Sequence, residues 1–494
     1  MVGGSRKGNR TGRWDIVNFV LFFTDQQRAE SLSCYGHPMA RTPNYDRLAA
    51  RGTRFAQCHS PAALCSPARC ALFTGLYPHI SGHRTLWNLL KPGEPNLFGY
   101  LKDAGYRTVA FGKNDLFTPE AAALCMDAFR KPEGTNWGPN PYAPDDDRYY
   151  SFMHDPFPGT VDETFDARCV RAGTEFLESW RPGDRPFFLY LPLVLPHPGY
   201  SAPEPFHHLF RAGDIPPLRP ARDGPDVPLF RRQSRAYRRL DRLPEGFFRR
   251  INAVYLGMNA YVDLLLGRLM DALDASAAAG DTVLIASSDH GDFAGDYGLV
   301  EKIHNAAYDV MTRVPLLVHA PGGRAGHVSE EPVELLDVMA TVLDYAGVPP
   351  GHTHFSRSLR PQAEGAPGDP DRACFFEMGF NENERHCLEG EGPADAALWD
   401  ERGMYWPQVR QLHDHPRGMA RTVSMRTATR RLTRRPADVD EMFDLAADPR
   451  ETENLYQDPR RRDERDALNE RMLRWLITAS DTVPWTRDAR DLPP

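Results

Sequence analysis

Apolar positions along this chain alternate between two spacings. Residues 16–23, Ile16-Val17-Asn18-Phe19-Val20-Leu21-Phe22-Phe23, form a nearly unbroken apolar run rich in Val and Phe, which fits a strand buried on both faces of a parallel sheet. Runs of the same kind occur at 108–111, 186–195, 282–287 and 314–319. Between them lie stretches with helical spacing: 42–52, opened by Thr42-Pro43 and closed by Gly52, then 97–105, then the amphipathic stretch 247–273. Strands alternating with helices predict an α/β fold with helices on both faces of the sheet, and such folds gather their sites at the carboxyl ends of the strands.

Two irregular stretches interrupt the pattern. Residues 211–250 are dense in Pro and Arg and predict a solvated insertion over the sheet edge, a candidate lid. A Pro/Gly-rich polar segment at 360–370 marks a boundary, giving a disordered leader at 1–13, a main domain at 14–372 and a C-terminal subdomain at 373–494 that ends in a helix over 460–477. At 494 residues the chain exceeds what one core supports, so a large domain with a smaller satellite is expected.

The formal net charge of −8 argues against a nucleic-acid partner, and any anionic ligand must find its cations locally. Eight cysteines show no C-x-x-C pair and read as reduced thiols. The first apolar run is too short and too polar at Asn18 for a signal peptide, and no stretch approaches a membrane span, so a cytoplasmic protein with no membrane partner is expected.

Cys65-Ser66-Pro67-Ala68-Arg69 carries the densest chemistry. Pro67 has no N–H to lose and its fixed φ suits a first helical turn, so the chain should turn helical just after Cys65, with Gly75 as the stop. Arg69 then falls one turn on, over the same face as Cys65. A thiol at a helix N-terminus beside a guanidinium is a setting for an anion, since free N–H groups and the helix dipole both favour negative charge.

Together with Thr74-Gly75-Leu76-Tyr77-Pro78, this stretch resembles the signature of the type I sulfatases of the alkaline phosphatase superfamily, C-x-P-x-R followed by T-G-x-x-P. The resemblance implies an alkaline phosphatase-like α/β fold: a large mixed, mostly parallel sheet sandwiched by helices, with a smaller C-terminal α+β subdomain. It also implies that Cys65 is converted to formylglycine by a formylglycine-generating enzyme, a transient partner, and that the hydrated aldehyde is the nucleophile.

Further segments follow in family order. Thr24-Asp25-Gln26-Gln27 and Ser287-Ser288-Asp289-His290-Gly291 are similar to the segments that bind a divalent cation, implying Asp25, Gln26, Asp289 and His290 as ligands, with the modified Cys65 also touching the ion. Oxygen-rich donors point to Ca²⁺; Gln26 and His290, where the family commonly has aspartate and asparagine, leave Mg²⁺ or Mn²⁺ open. Lys113 matches a lysine that grips the sulfate, but Asp115 stands where the family has a histidine, and a carboxylate there repels a bound sulfate. His197, in Pro196-His197-Pro198, matches a histidine that faces the leaving oxygen, where imidazole suits general acid work. Glu301-Lys302-Ile303-His304, ahead of Arg313-Val314-Pro315-Leu316, resembles the family's lysine-containing loop, which implies Lys302 as the candidate second sulfate-binding cation, with His304 as an alternative for that place and Arg69 adding to the stabilisation of charge. Asp444-Leu445, Asp448-Pro449, Glu451 and Asn454-Leu455 resemble a segment of the family's C-terminal subdomain.

The resemblance therefore implies hydrolysis of a small-molecule sulfate monoester to alcohol and sulfate. Two other readings stay open. Similar D-Q and D-H pairs occur in phosphonate monoester and phosphodiester hydrolases of the same superfamily, and Asp115 suggests a binding protein that keeps the fold without turnover.

Overall fold

The computed structural model describes residues 17–391 and 395–483; the leader at 1–13 lies outside them. A nine-stranded sheet runs through these residues. Its strands in chain order are β1 (Asn18–Asp25), β2 (Thr53–His59), β3 (Arg107–Phe111), β4 (Ala128–Arg130), β5 (Phe187–Pro196), β6 (Thr282–Ser288), β7 (Arg313–Val314), β8 (Leu316–His319) and β9 (His327–Glu334). The order across the sheet is β4-β3-β5-β1-β6-β8-β2, with β7 and β9 both paired to β2. The half from β4 to β6 is parallel throughout, while β8 and β7 run antiparallel to their neighbours. This is the mixed, mostly parallel sheet that the sequence predicts.

Period-two alternation along β1 explains why it reads as continuously apolar. Val20 and Phe22 point into a core with Leu189, Leu191 and the helices Phe165–Ser179 and Glu245–Ala275. Phe19, Leu21 and Phe23 point into a second core with Phe188, Tyr190 and the helices Leu97–Asp103 and Asp337–Ala346. Both faces are covered, so neither can be polar. Each such side chain contributes roughly 1.5–3 kcal/mol by leaving water.

Residues 211–228 are irregular and mostly exposed, as the sequence predicts, but 229–250 correct the expectation. This second part holds the helix Leu229–Tyr237 and the start of Glu245–Ala275. Phe230, Arg231, Arg235 and Arg238 are buried, with Arg231 4.4 Å over the Tyr297 ring and Arg238 4.8 Å over Phe152. Arginine density reads as solvation in a sequence, but a guanidinium is weakly hydrated and stacks on aromatic faces, so these arginines pack.

A second sheet, antiparallel, is formed by β10 (Cys374–Met378), β11 (Thr422–Arg426), β12 (Arg430–Arg434) and β13 (Glu441–Asp444). It shares its core with the main body: Phe376, Met378 and Phe443 pack with Ala62, Leu64, Tyr308 and Met311. The helix Arg462–Thr478 brings Trp475 onto Phe375, stacked at 4.2 Å. All eight cysteines are free, and no helix among the described residues is long and apolar enough to cross a membrane.

At the junction of the two sheets, His59 is buried beside Asp309, which Arg426 and Arg431 also bind. Burial, reinforced by Arg426, holds the His59 imidazole well below its ordinary 6.5, so the fold keeps it neutral. The unfolded chain takes up a proton near that pH that the folded chain refuses. Stability from neutral His59 is therefore complete above about pH 6.5 and falls below it, by up to about 1.4 kcal/mol per pH unit. Urea midpoints measured between pH 7 and 5 should fall less steeply in His59→Leu than in the unsubstituted protein; parallel slopes would show that His59 does not titrate as described.

Candidate active site

Four neighbouring parallel strands, β3, β5, β1 and β6, deliver the site at their carboxyl ends. Asp25 closes β1 with Gln26 beyond it, Asp289 and His290 follow β6, His197 follows β5 and Lys113 follows β3 by two residues. The register sets Thr24 beside Ser288 and Asp25 beside Pro196, so the strand ends are level. Gly112 lets the chain pass: its φ is +146°, and a Cβ there would lie 2.1 Å from the Pro192 carbonyl oxygen. From the other side, the helix Cys65–Thr74 begins at Cys65 itself, two residues ahead of Pro67, and ends at Gly75 with φ 67°. Its N-terminus points Cys65 at the strand ends.

Cys65 Sγ lies 3.4 Å from Asp25 Oδ1, 3.4 Å from His290 Nε2 and 3.6 Å from Lys113 Nζ. One donor atom from each of Asp25, Cys65, Asp289 and His290 falls within 4.8 Å of the others, and all four residues are buried. Burial by itself raises the Asp25 carboxyl, yet Lys113, 2.7 Å from Oδ2, and Arg69, 2.9 Å from it, hold it well below the usual carboxylate range. Asp289 Oδ2 accepts from Arg69 Nε at 3.0 Å and NH2 at 2.9 Å, while Oδ1 accepts the backbone N–H groups of Gln26 and His290. Burial keeps His290 neutral; its Nδ1 lies 2.9 Å from the Gly291 carbonyl, which fixes the proton there and leaves the Nε2 lone pair facing Cys65. Two carboxylates and a neutral imidazole, aimed at one point, are a donor set that fits a divalent cation.

The structure assigns several side chains more closely than the sequence does. Arg69 is fully buried, and its guanidinium is spent on Asp25, Asp289 and the Tyr190 hydroxyl, so it organises the carboxylates. Asp115 pairs with Lys113 at 2.8 Å and serves as its counter-ion. Gln26 sits at φ 69°, a strained conformation for a side-chain-bearing residue, held by Asp289 Oδ1 on its N–H and by Tyr255 OH on its carbonyl. Its amide donates to Asp292 Oδ2 at 2.6 Å, which turns Oε1 toward Lys302 at 3.2 Å. Lys302 Nζ also donates to His197 Nε2 at 2.9 Å and to Glu301 Oε1 at 2.5 Å. Burial and the Lys302 charge hold His197 well below its ordinary value, so its imidazole is neutral. His304 instead pairs with Glu389, 3.0 Å away, and stacks edge-on to Phe380, so of the two candidates only Lys302 reaches His197 and Gln26.

Sequence reading missed Asp292, Glu301, Trp137 and Tyr405. Asp292 and Glu301 adjoin segments already singled out, and their burial was the missing signal. Trp137, which donates to the His197 carbonyl at 3.2 Å, and Tyr405, whose hydroxyl is 3.5 Å from His197 Nε2, come from stretches with no readable motif.

The family model described as Sulfatase matches residues 17–348, which hold the Cys65 signature, the Asp25 and Asp289 segments and the flanking lysines. The chain is 29% identical over 433 residues to PehA of Trinickia caryophylli, a multifunctional alkaline phosphatase superfamily protein, covering 74% of this chain and 80% of that one. To YidJ of Escherichia coli (strain K12), named an uncharacterized sulfatase, it is 26% identical over 496 residues, covering 96% of this chain and 91% of that protein. A solved structure of the phosphonate monoester hydrolase of Agrobacterium radiobacter superposes with a TM-score of 0.75 at 24% identity, covering 94% of this chain and 96% of that chain, which speaks for a shared fold. With the matched region spanning the sheet and the residues gathered at its carboxyl edge, the chain belongs to the sulfatase family.

Proposed function

We propose that this protein hydrolyses a small-molecule sulfate monoester to an alcohol and sulfate, with Cys65 in its formylglycine form as the nucleophile and a divalent cation, Ca²⁺ in the first instance, beside it. The carrying observation is the convergence of Cys65, Asp25, Asp289 and His290 within 4.8 Å at the sheet edge, flanked by Lys113 and Lys302. Burial pushes the Cys65 thiol far up, and Asp25 adds to the rise, so an unmodified thiol stays protonated and is a poor nucleophile.

Asp25, Asp289 and His290, with the side-chain oxygen of Gln26, would hold the cation; Arg69 keeps the two carboxylates in register. When bound, the cation lowers the pKa of the nucleophile's hydroxyl and polarises an ester oxygen. Lys113, beside Cys65, neutralises charge on the non-bridging oxygens. The leaving oxygen departs on the His197 side, where Nδ1 is engaged by the Pro198 carbonyl at 2.6 Å and Nε2 accepts from Lys302. The proton for the departing alkoxide comes through Lys302. In this reading the chain divides into a catalytic domain at 14–372 and a C-terminal subdomain at 373–494, the formylglycine-generating enzyme is the maturation partner, and the location is cytoplasmic.

Phosphonate monoester hydrolysis is the second reading, favoured by Gln26 and His290 at the candidate cation site and by the likeness in fold to the phosphonate monoester hydrolase. Parallel assays of 4-nitrophenyl sulfate and 4-nitrophenyl phenylphosphonate decide between them. The sulfate should show the higher kcat/KM; a higher value for the phosphonate replaces the first reading with the second.

A further inference from the structure

We propose that Tyr405 is a catalytic residue, donating a hydrogen bond to the leaving oxygen of the ester; this rests on the ester-hydrolase reading above. Tyr405 stands at the N-terminal boundary of the helix Trp406–Asp414, far along the chain from every motif of the site. Its ring packs on Phe152 with centroids 5.3 Å apart, and its hydroxyl comes to 3.5 Å from His197 Nε2.

The case is an accounting of protons on the leaving side. Lys302 Nζ donates to Gln26, His197 and Glu301, which spends all three of its hydrogens. His197 Nδ1 is taken by the Pro198 carbonyl, and the single lone pair of Nε2 is already filled by Lys302 at 2.9 Å. The Tyr405 hydroxyl is left facing an acceptor that another donor occupies, at a length near the limit of a hydrogen bond, and it has no other hydrogen-bond partner among the described residues. A proton in that position is available to an incoming oxygen. The site is also open there: Tyr405, His197 and Trp137 are each only partly buried, unlike Arg69 and the carboxylates behind them.

As the ester S–O bond breaks, its electron pair stays on the leaving oxygen, and the phenol O–H stabilises the developing charge while keeping its proton. The proton that makes the alcohol is the one Lys302 holds against His197 Nε2; Lys302 releases it only after the S–O bond has broken, becomes a neutral amine and regains a proton from solvent. Such an interaction strengthens with the charge on the oxygen, so it counts most for poor leaving groups.

The test is Tyr405→Phe, which retains the ring on Phe152, assayed with graded aryl sulfates and an equivalent series of aryl phosphonates. Loss of a hydrogen bond to a charged oxygen predicts a fall in kcat/KM of roughly 10- to 100-fold for the poorest leaving group and less than about 3-fold for the best. The same fall for all leaving groups, or none, overturns the proposal. Tyr405→His, which keeps a ring and a donor, should recover part of the loss; equal losses in the two variants also overturn it. Should the unsubstituted protein turn over only the phosphonates, the sulfate reading fails while the Tyr405 comparison is read within that series.

Discussion

Made in a host that carries the oxidising enzyme, the protein should yield a tryptic Cys65 peptide in which the CH₂–SH group has become an aldehyde, and Cys65→Ala should lower kcat/KM on the order of 10⁶-fold. The size follows from removing a nucleophile that acts as one unit with its surroundings, where a single deletion costs nearly as much as deleting the whole set. The direction follows from the environment. Cys65 Sγ is buried against Asp25, and burial with that carboxylate pushes the thiol up, so Lys113 and Lys302 do not bring it to a thiolate at neutral pH. Full activity from protein whose Cys65 peptide carries only the thiol would sink the proposed nucleophile. Cys65→Ala removes little volume beyond the sulfur, so a loss of activity with an unchanged melting temperature separates chemistry from folding.

Removing the charge of Asp289 should abolish turnover by a different route. Asp289 accepts two bonds from Arg69 and two from backbone N–H groups, those of Gln26 and His290. Asp289→Ala strips those partners and leaves Arg69, fully buried, with one carboxylate in place of two, so a stability loss of about 3–5 kcal/mol accompanies the loss of function. Asp289→Asn is the sharper variant because it keeps an acceptor while removing one negative charge. With a cation contributing several kcal/mol to the transition state, Asp289→Asn and chelator-treated protein should each lose at least roughly 10³-fold in kcat. Elemental analysis should find about one bound divalent ion in active protein and far less in Asp289→Asn. Active protein that holds no metal would refute the cation site.

Much of this protein is legible along one dimension. The two-sided apolar run of β1, the Pro67 to Gly75 helix and the alternation of strand and helix are local consequences of side-chain spacing, and the structure reproduces them within a few residues. The clustering of Asp25, Gln26, Asp289 and His290 was readable from the family resemblance, and the fold sets these residues at the ends of adjacent parallel strands, where the topology leaves little freedom of position. Tertiary structure alone decided which charges meet. Arg69 reads as a substrate contact until the fold sets two carboxylates against it, and Asp115 reads as a repulsive intruder until it is seen paired to Lys113. Arg231 and Arg238 look solvated until aromatic rings are placed beneath them, and Tyr405 has no sequence signal because its role depends on a contact with His197, 208 residues away. Spacing determines which face a residue occupies, but the partner across that face is set by packing between segments far apart in the chain, and the energy of a charge depends on that partner.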